Sequence, residues 1–125
     1  MNWTEIPEFS HIDLSESYVL GWSTSPGTLE FDLEVVLCEG HPEFHQPPST
    51  DWACYHPGRL IFQGVHSLTG LPAQSEIHPG TDASGAIDYG HLDTLTQTGN
   101  QFEISGDFGL VSFWASGFKL DLVTP

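Results

Sequence analysis

The chain predicts an all-β fold, an antiparallel β-sandwich or partly open barrel of about seven or eight short strands. Three observations carry this. Between Thr28 and Cys38, Leu29, Phe31, Leu33, Val35 and Leu37 take every second position, with Glu30, Asp32 and Glu34 between them. An extended strand points successive side chains to opposite faces, so this run has one apolar and one acidic face. Thirteen glycines and nine prolines punctuate the chain with turn signals and leave no convincing helix. The last quarter then returns to short apolar runs.

Residues 1–16 carry Trp3, Ile6, Phe9, Ile12 and Leu14, spaced for a loose turn or an extended arm laid over the core, with a short strand near Ile12. Pro7 interrupts any helix begun before it. Tyr18, Leu20 and Trp22 next alternate with Val19, Gly21 and Ser23. With Thr24-Ser25-Pro26-Gly27 as a four-residue loop, Ser23 stands opposite Thr28, Trp22 opposite Leu29, Leu20 opposite Phe31 and Tyr18 opposite Leu33. In that register no cation stands across from Glu30, Asp32 and Glu34.

Residues 39–58 form a long Pro/His-rich loop, which Phe44, Trp52 and Tyr55 pin to the body. Arg59–Phe62 and Val65–Leu68 read as a strand bent at Gly64, with a bulge there. Asp82-Ala83-Ser84-Gly85 is a turn signal. Residues 86–98 fit a strand better than a helical turn, and Thr98-Gly99-Asn100 turns the chain. Phe102–Ile104, Leu110–Ala115 and Phe118–Leu122 are strands. If Gly106–Gly109 is a tight connection, Phe102 meets Phe113 and Ile104 meets Val111; one longer strand over 102–108 is the alternative.

A length of 125 residues is enough for one β domain to bury a core without staples. No internal repeat or low-complexity block is present. The N-terminus MNWTEIPEFSH has neither a basic start nor an apolar core, and no apolar run approaches a membrane span. The expected location is cytoplasmic, with Cys38 and Cys54 as reduced thiols.

Charge is the extreme feature: 17 acids face only Arg59 and Lys119, a formal net charge of −15. Binding to nucleic acid or to an anionic membrane is excluded, because phosphate contacts need clustered lysine and arginine. Three readings stay open: a surface that repels its own copies, a docking face for a basic protein, and a cation site. Self-repulsion also predicts that added salt stabilises the fold. Protonating all seven histidines would bring −15 to −8, which makes a pH switch conceivable beside plain surface imidazoles.

With Tyr18–Trp22, Leu29–Leu37, the run Gly58-Arg59-Leu60-Ile61-Phe62-Gln63-Gly64-Val65 and Phe102–Leu122 in place, the strand layout resembles small uncharacterised bacterial all-β proteins. It is similar in outline to immunity proteins of bacterial toxin systems. That resemblance implies a cytoplasmic binder neutralising one cognate partner, and brings no catalytic residue with it.

Cys38, His41, His45, Cys54 and His56 make the sharpest local cluster. Thiolate and imidazole suit zinc, with Glu39, Glu43 and Asp51 as substitute ligands, although the spacing matches no standard finger. Asp82-x-Ser84-Gly85 echoes a calcium loop, but Gly80 and His91 occupy the positions that need acids. His11 with Asp13 and His91 with Asp93 could each share a strand face, yet no nucleophile motif, HExxH, phosphate loop or dinucleotide fingerprint accompanies them. Glu30 and Glu34 share a face but lie about 13 Å apart along the strand, beyond glycosidase spacing. Arg59 is expected to anchor the base of the long loop.

The sequence therefore supports a non-enzymatic binding module, possessing no cofactor, whose acidic face centres on Glu30, Asp32 and Glu34 and whose partner is a basic protein. The alternative is a small zinc protein or metal-dependent enzyme built on residues 38–56.

Overall fold

The computed structural model describes residues 1–47, 53–81 and 87–123. Two four-stranded antiparallel sheets pack face to face. The first has the order β1 (Ile12–Ser25), β2 (Thr28–Leu37), β3 (Cys54–Gln63) and β10 (Gly117–Leu122). The second has the order β4 (His66–Thr69), β9 (Gly109–Trp114), β8 (Gln101–Gly106) and β7 (Leu92–Thr98). A two-residue ladder joins β5 (Gly80–Thr81) to β6 (Ile87–Asp88). The fold is thus the all-β sandwich that the alternation predicts. Among the described residues no helix is long and apolar enough to cross a membrane.

The inner faces are those read from the sequence. Leu29, Phe31, Leu33, Val35 and Leu37 are all buried, against Leu60 and Phe62 of β3 and against Phe102, Ile104, Val111 and Phe113 of the second sheet. Phe62 makes edge-to-face contacts with Phe102 and Phe113, at centroid distances of 5.1 and 4.8 Å. The β8–β9 hairpin pairs Phe102 with Phe113 and Ile104 with Val111, so the tight connection holds and the single long strand does not. The N-terminal arm folds as two 3₁₀ turns (Trp3–Glu5 and Pro7–Phe9) that bury Ile6 and Phe9 at the core, Phe9 stacking on Phe118 at 5.8 Å.

Four expectations are corrected. The first hairpin turns on Pro26 and Gly27 alone, with Ser25 opposite Thr28, because Gly27 adopts φ +74° and closes a two-residue turn. Trp22 therefore meets Phe31, not Leu29, and Val19 meets Leu33. A bulge at Leu20 absorbs the difference and turns Val19, fully buried, toward the core. Second, the strand near Ile12 is not short but continues to Ser25, with a bulge between Asp13 and Tyr18.

Third, the long loop ends at residue 53, not 58, since Cys54–Pro57 already pair with Leu37–Glu34. A proline inside this strand is tolerated for a local reason. Val123 N–H donates to the Pro57 carbonyl at 2.9 Å just beyond the end of β10, and the missing Pro57 N–H lies on that same side, where the ladder runs out. Fourth, Gly64 (φ +66°) is not a bulge within one strand but the point where the chain leaves the first sheet for the second. The turn at Asp82–Gly85 and the pinning role of Trp52 lie outside the described residues.

Three cross-strand rows set the outer face of the second sheet: His66, Trp114, Gln101 and Thr98; Thr69, Ser112, Glu103 and Thr96; and Leu110, Ser105 and Thr94.

Candidate binding face

The outer face of the first sheet is built by the residues that alternate with its core positions. One row across β1, β2, β3 and β10 reads Ser23, Glu30, Ile61, Lys119, and the next reads Gly21, Asp32, Arg59, Asp121. Glu34 follows on β2, between Tyr18 and Pro57. The sequence-predicted acids do share one face, as strand geometry requires.

Their setting is not the one predicted. Arg59 Nε lies 3.7 Å from Asp32 Oδ1, and Lys119 Nζ lies 3.4 Å from Asp121 Oδ2. A cation does stand across from Asp32, and Arg59 sits mid-strand between two carboxylates instead of at the loop base. Both groups of the Arg59–Asp32 pair are about half exposed (55% and 54%), so water and salt screen it and it is worth about 0–1 kcal/mol. Beside it, Leu20, Pro57, Gly58 and Val123 line a shallow depression of about 300 Å³.

The charge of the face changes along β2. Both basic side chains of the protein lie near Glu30, Asp32 and Asp121, whereas residues 1–58 contain neither lysine nor arginine. From Glu34 toward the end of β2 the chain meets Asp13 across from Val36, then Cys38 and Glu39, with Glu16 in the adjoining bulge of β1. Cys38 lies at this end of the face, near Asp13. Partial burial raises its thiol pKa above the ordinary 9.0, and the Asp13 carboxylate raises it further.

The Cys/His cluster does not assemble. Cys54 is buried, its Sγ lying 3.5 Å from His45 Nδ1. Elsewhere, His41 Nδ1 accepts from the Glu43 backbone N–H at 3.0 Å, and His56 Nδ1 bonds the Pro57 carbonyl at 2.9 Å. Cys54 stands opposite Leu37 in the register, so Cys38, one residue further on, lies past the end of that pairing. Among the described residues no three histidine, cysteine, aspartate or glutamate side chains converge to hold a metal ion; Asp51 lies outside them.

Neither His11 with Asp13 nor His91 with Asp93 forms a hydrogen bond or ion pair. The His91 ring instead lies against Tyr18, with centroids 4.4 Å apart. Sequence reasoning missed Lys119 and Asp121 as members of the acidic face, though their i, i+2 spacing in a strand was a usable signal. It also missed the exposed Trp114 on the other sheet.

Fold and face together define a small two-sheet antiparallel β-sandwich with a segregated surface charge. No protein-family model matches the chain, and no solved structure matches it. Among curated proteins, the non-receptor tyrosine-protein kinase TNK1 of Homo sapiens is 31% identical over 104 residues, which cover 70% of this chain and 16% of the kinase. The chain spans 16% of that relative's length, which does not establish a family.

Proposed function

We propose that the chain is a non-enzymatic, cytoplasmic binding module that docks a basic protein, with an immunity-type neutraliser as the form this takes. The observation that carries the proposal is the segregation of charge. Arg59 and Lys119 are both engaged at one half of the outer face, on Asp32 and Asp121. From Glu34 toward Asp13, Glu16 and Glu39 the acids continue through segments without lysine or arginine. A rigid sheet bearing such a gradient attracts and orients a cationic partner and repels further copies of itself. Glu30 and Asp32 then form the margin of the docking area, and Glu34 its inner part.

The test is capture from an extract of the source organism at low and high salt. It compares the unaltered protein, the double variant Glu16→Lys/Glu39→Lys, and Glu103→Lys as a control on the outer face of the other sheet. A basic protein retained by the first and third, released by salt and lost with the double variant, supports docking. No enriched partner at low salt, or equal capture by the double variant, overturns it.

A further inference from the structure

The outer face of the second sheet differs in kind from the rest of the molecule. In a chain with 17 acids, its three cross-strand rows carry one charged residue, Glu103, and otherwise hydroxyls, an amide, aromatic rings and the exposed aliphatic side chain of Leu110. Trp114 stands on it 42% exposed, far more than a core tryptophan. His66 pairs with it in the register, the two rings nearly parallel at 9° with centroids 6.2 Å apart.

The backbone around His66 is specialised for this placement. Ser67 adopts φ +56°, a left-handed conformation costly for a residue other than glycine. It forms the irregularity between His66 and Thr69, and its hydroxyl lies 3.1 Å from His66 Nδ1. Bulges of this sort re-aim a side chain at a sheet edge.

We infer that this face binds a neutral glycan chain. The C–H faces of a sugar ring are apolar and pack on an aromatic face, while its equatorial hydroxyls need donors and acceptors in the flanking plane. Trp114 and His66 supply the first; the Gln101 amide, the Glu103 carboxylate and the Ser112 and Thr96 hydroxyls supply the second. Four residues along β9 span about 13 Å and four strands span about 14 Å, room for two or three hexose rings. Near-neutrality selects an uncharged ligand, since a cationic one would be drawn to the first sheet. A second copy is the wrong occupant. Each copy carries −15, and the face offers roughly 200 Å², far below the roughly 800 Å² per partner of a stable interface.

The experiment is affinity electrophoresis of the whole chain in native gels containing mixed-linkage β-glucan, xyloglucan or galactomannan, followed by calorimetry on the retarding polymer. Trp114→Ala, Trp114→Phe and, as a remote control, Glu76→Ala run alongside, with circular dichroism to establish folding. The expected result is retardation by at least one polymer. Trp114→Ala should weaken binding roughly tenfold, Trp114→Phe less, and Glu76→Ala not at all. High salt should leave the retardation unchanged, unlike docking of a basic protein. Absence of retardation in all three gels overturns the inference. So does equal binding by folded Trp114→Ala, or sedimentation showing a dimer that this variant dissociates.

Discussion

The backbone N–H of Val36 donates to the side chain of Ser17, at 3.0 Å, where the neighbouring strand offers it no carbonyl. Between Asp13 and Tyr18, β1 uses five residue steps while β2 uses two, from Val36 to Glu34. The surplus chain loops away and Ser17 stands in for the lost ladder partner, its own hydroxyl donating to the Asp13 carbonyl at 2.8 Å. Ser17 is completely buried, and water cannot replace it. Ser17→Ala leaves the Val36 N–H unsatisfied and should destabilise the protein by about 1–3 kcal/mol. Denaturant titration measures this as a lower midpoint at unchanged slope. An unchanged midpoint would show that the bulge rearranges to satisfy Val36 another way.

Gly70 adopts φ +86°, and a Cβ built there would lie 2.1 Å from the Leu110 carbonyl oxygen, a backbone atom that cannot swing aside. Gly70→Ala therefore combines a disfavoured conformation with a clash at the β4–β9 junction. A loss of at least about 2 kcal/mol is expected. Thermal unfolding followed by circular dichroism checks it, with Gly99→Ala as comparison: φ there is +60° but nothing lies within 4 Å, so its loss should be the smaller.

The net charge of −15 makes the compact state repel itself, and the Arg59–Asp32 pair offsets little of this. Stability should rise with added sodium chloride. Arg59→Ala should cost less than about 1 kcal/mol at low salt and less again at high salt, because both partners are about half exposed and screened. A denaturation midpoint that falls with salt would show that specific ion pairs, not general repulsion, dominate the electrostatics.

How much of this was legible beforehand differs from strand to strand. The buried side of β2 was plain because apolar residues hold every second position from Leu29 to Leu37, with acids between them as far as Glu34 and only Val36 breaking the alternation, and a period of two has one structural meaning. Phe102 opposite Phe113 was legible because the short Gly106–Gly109 connection fixes the register. The first hairpin misled because four turn-forming residues were present and only Pro26 and Gly27 were used. The bulge at Leu20 that restores the apolar face has no composition of its own.

Arg59 opposite Asp32 was hidden for another reason. The loop between β2 and β3 is long, and a long loop leaves register to be settled by the core. The Cys/His cluster drew its apparent strength from nearness in sequence. Pairing then set Cys54 opposite Leu37 on the buried side and left Cys38 beyond the strand's end.

Cys38 gives the last prediction. Burial first, and the Asp13 carboxylate second, raise its thiol above the ordinary 9.0. The unfolded chain thus releases this proton at a lower pH than the folded one. The group's contribution to stability is complete below the unfolded value and is lost as pH rises through the folded one. Only the thiolate attacks an alkylating reagent. Iodoacetamide should therefore modify Cys38 slowly at neutral pH, with a rate profile whose midpoint lies above 9.0. Asp13→Asn removes the second cause and leaves the first, so the midpoint should fall part of the way and the neutral-pH rate should rise. Asp13 also accepts from Ser15 Oγ at 2.7 Å, which asparagine can still satisfy through its own oxygen, keeping the bulge intact. Peptide mapping separates Cys38 from buried Cys54. A midpoint at or below 9.0 in the unaltered protein would mean that neither burial nor the neighbouring carboxylate governs this thiol.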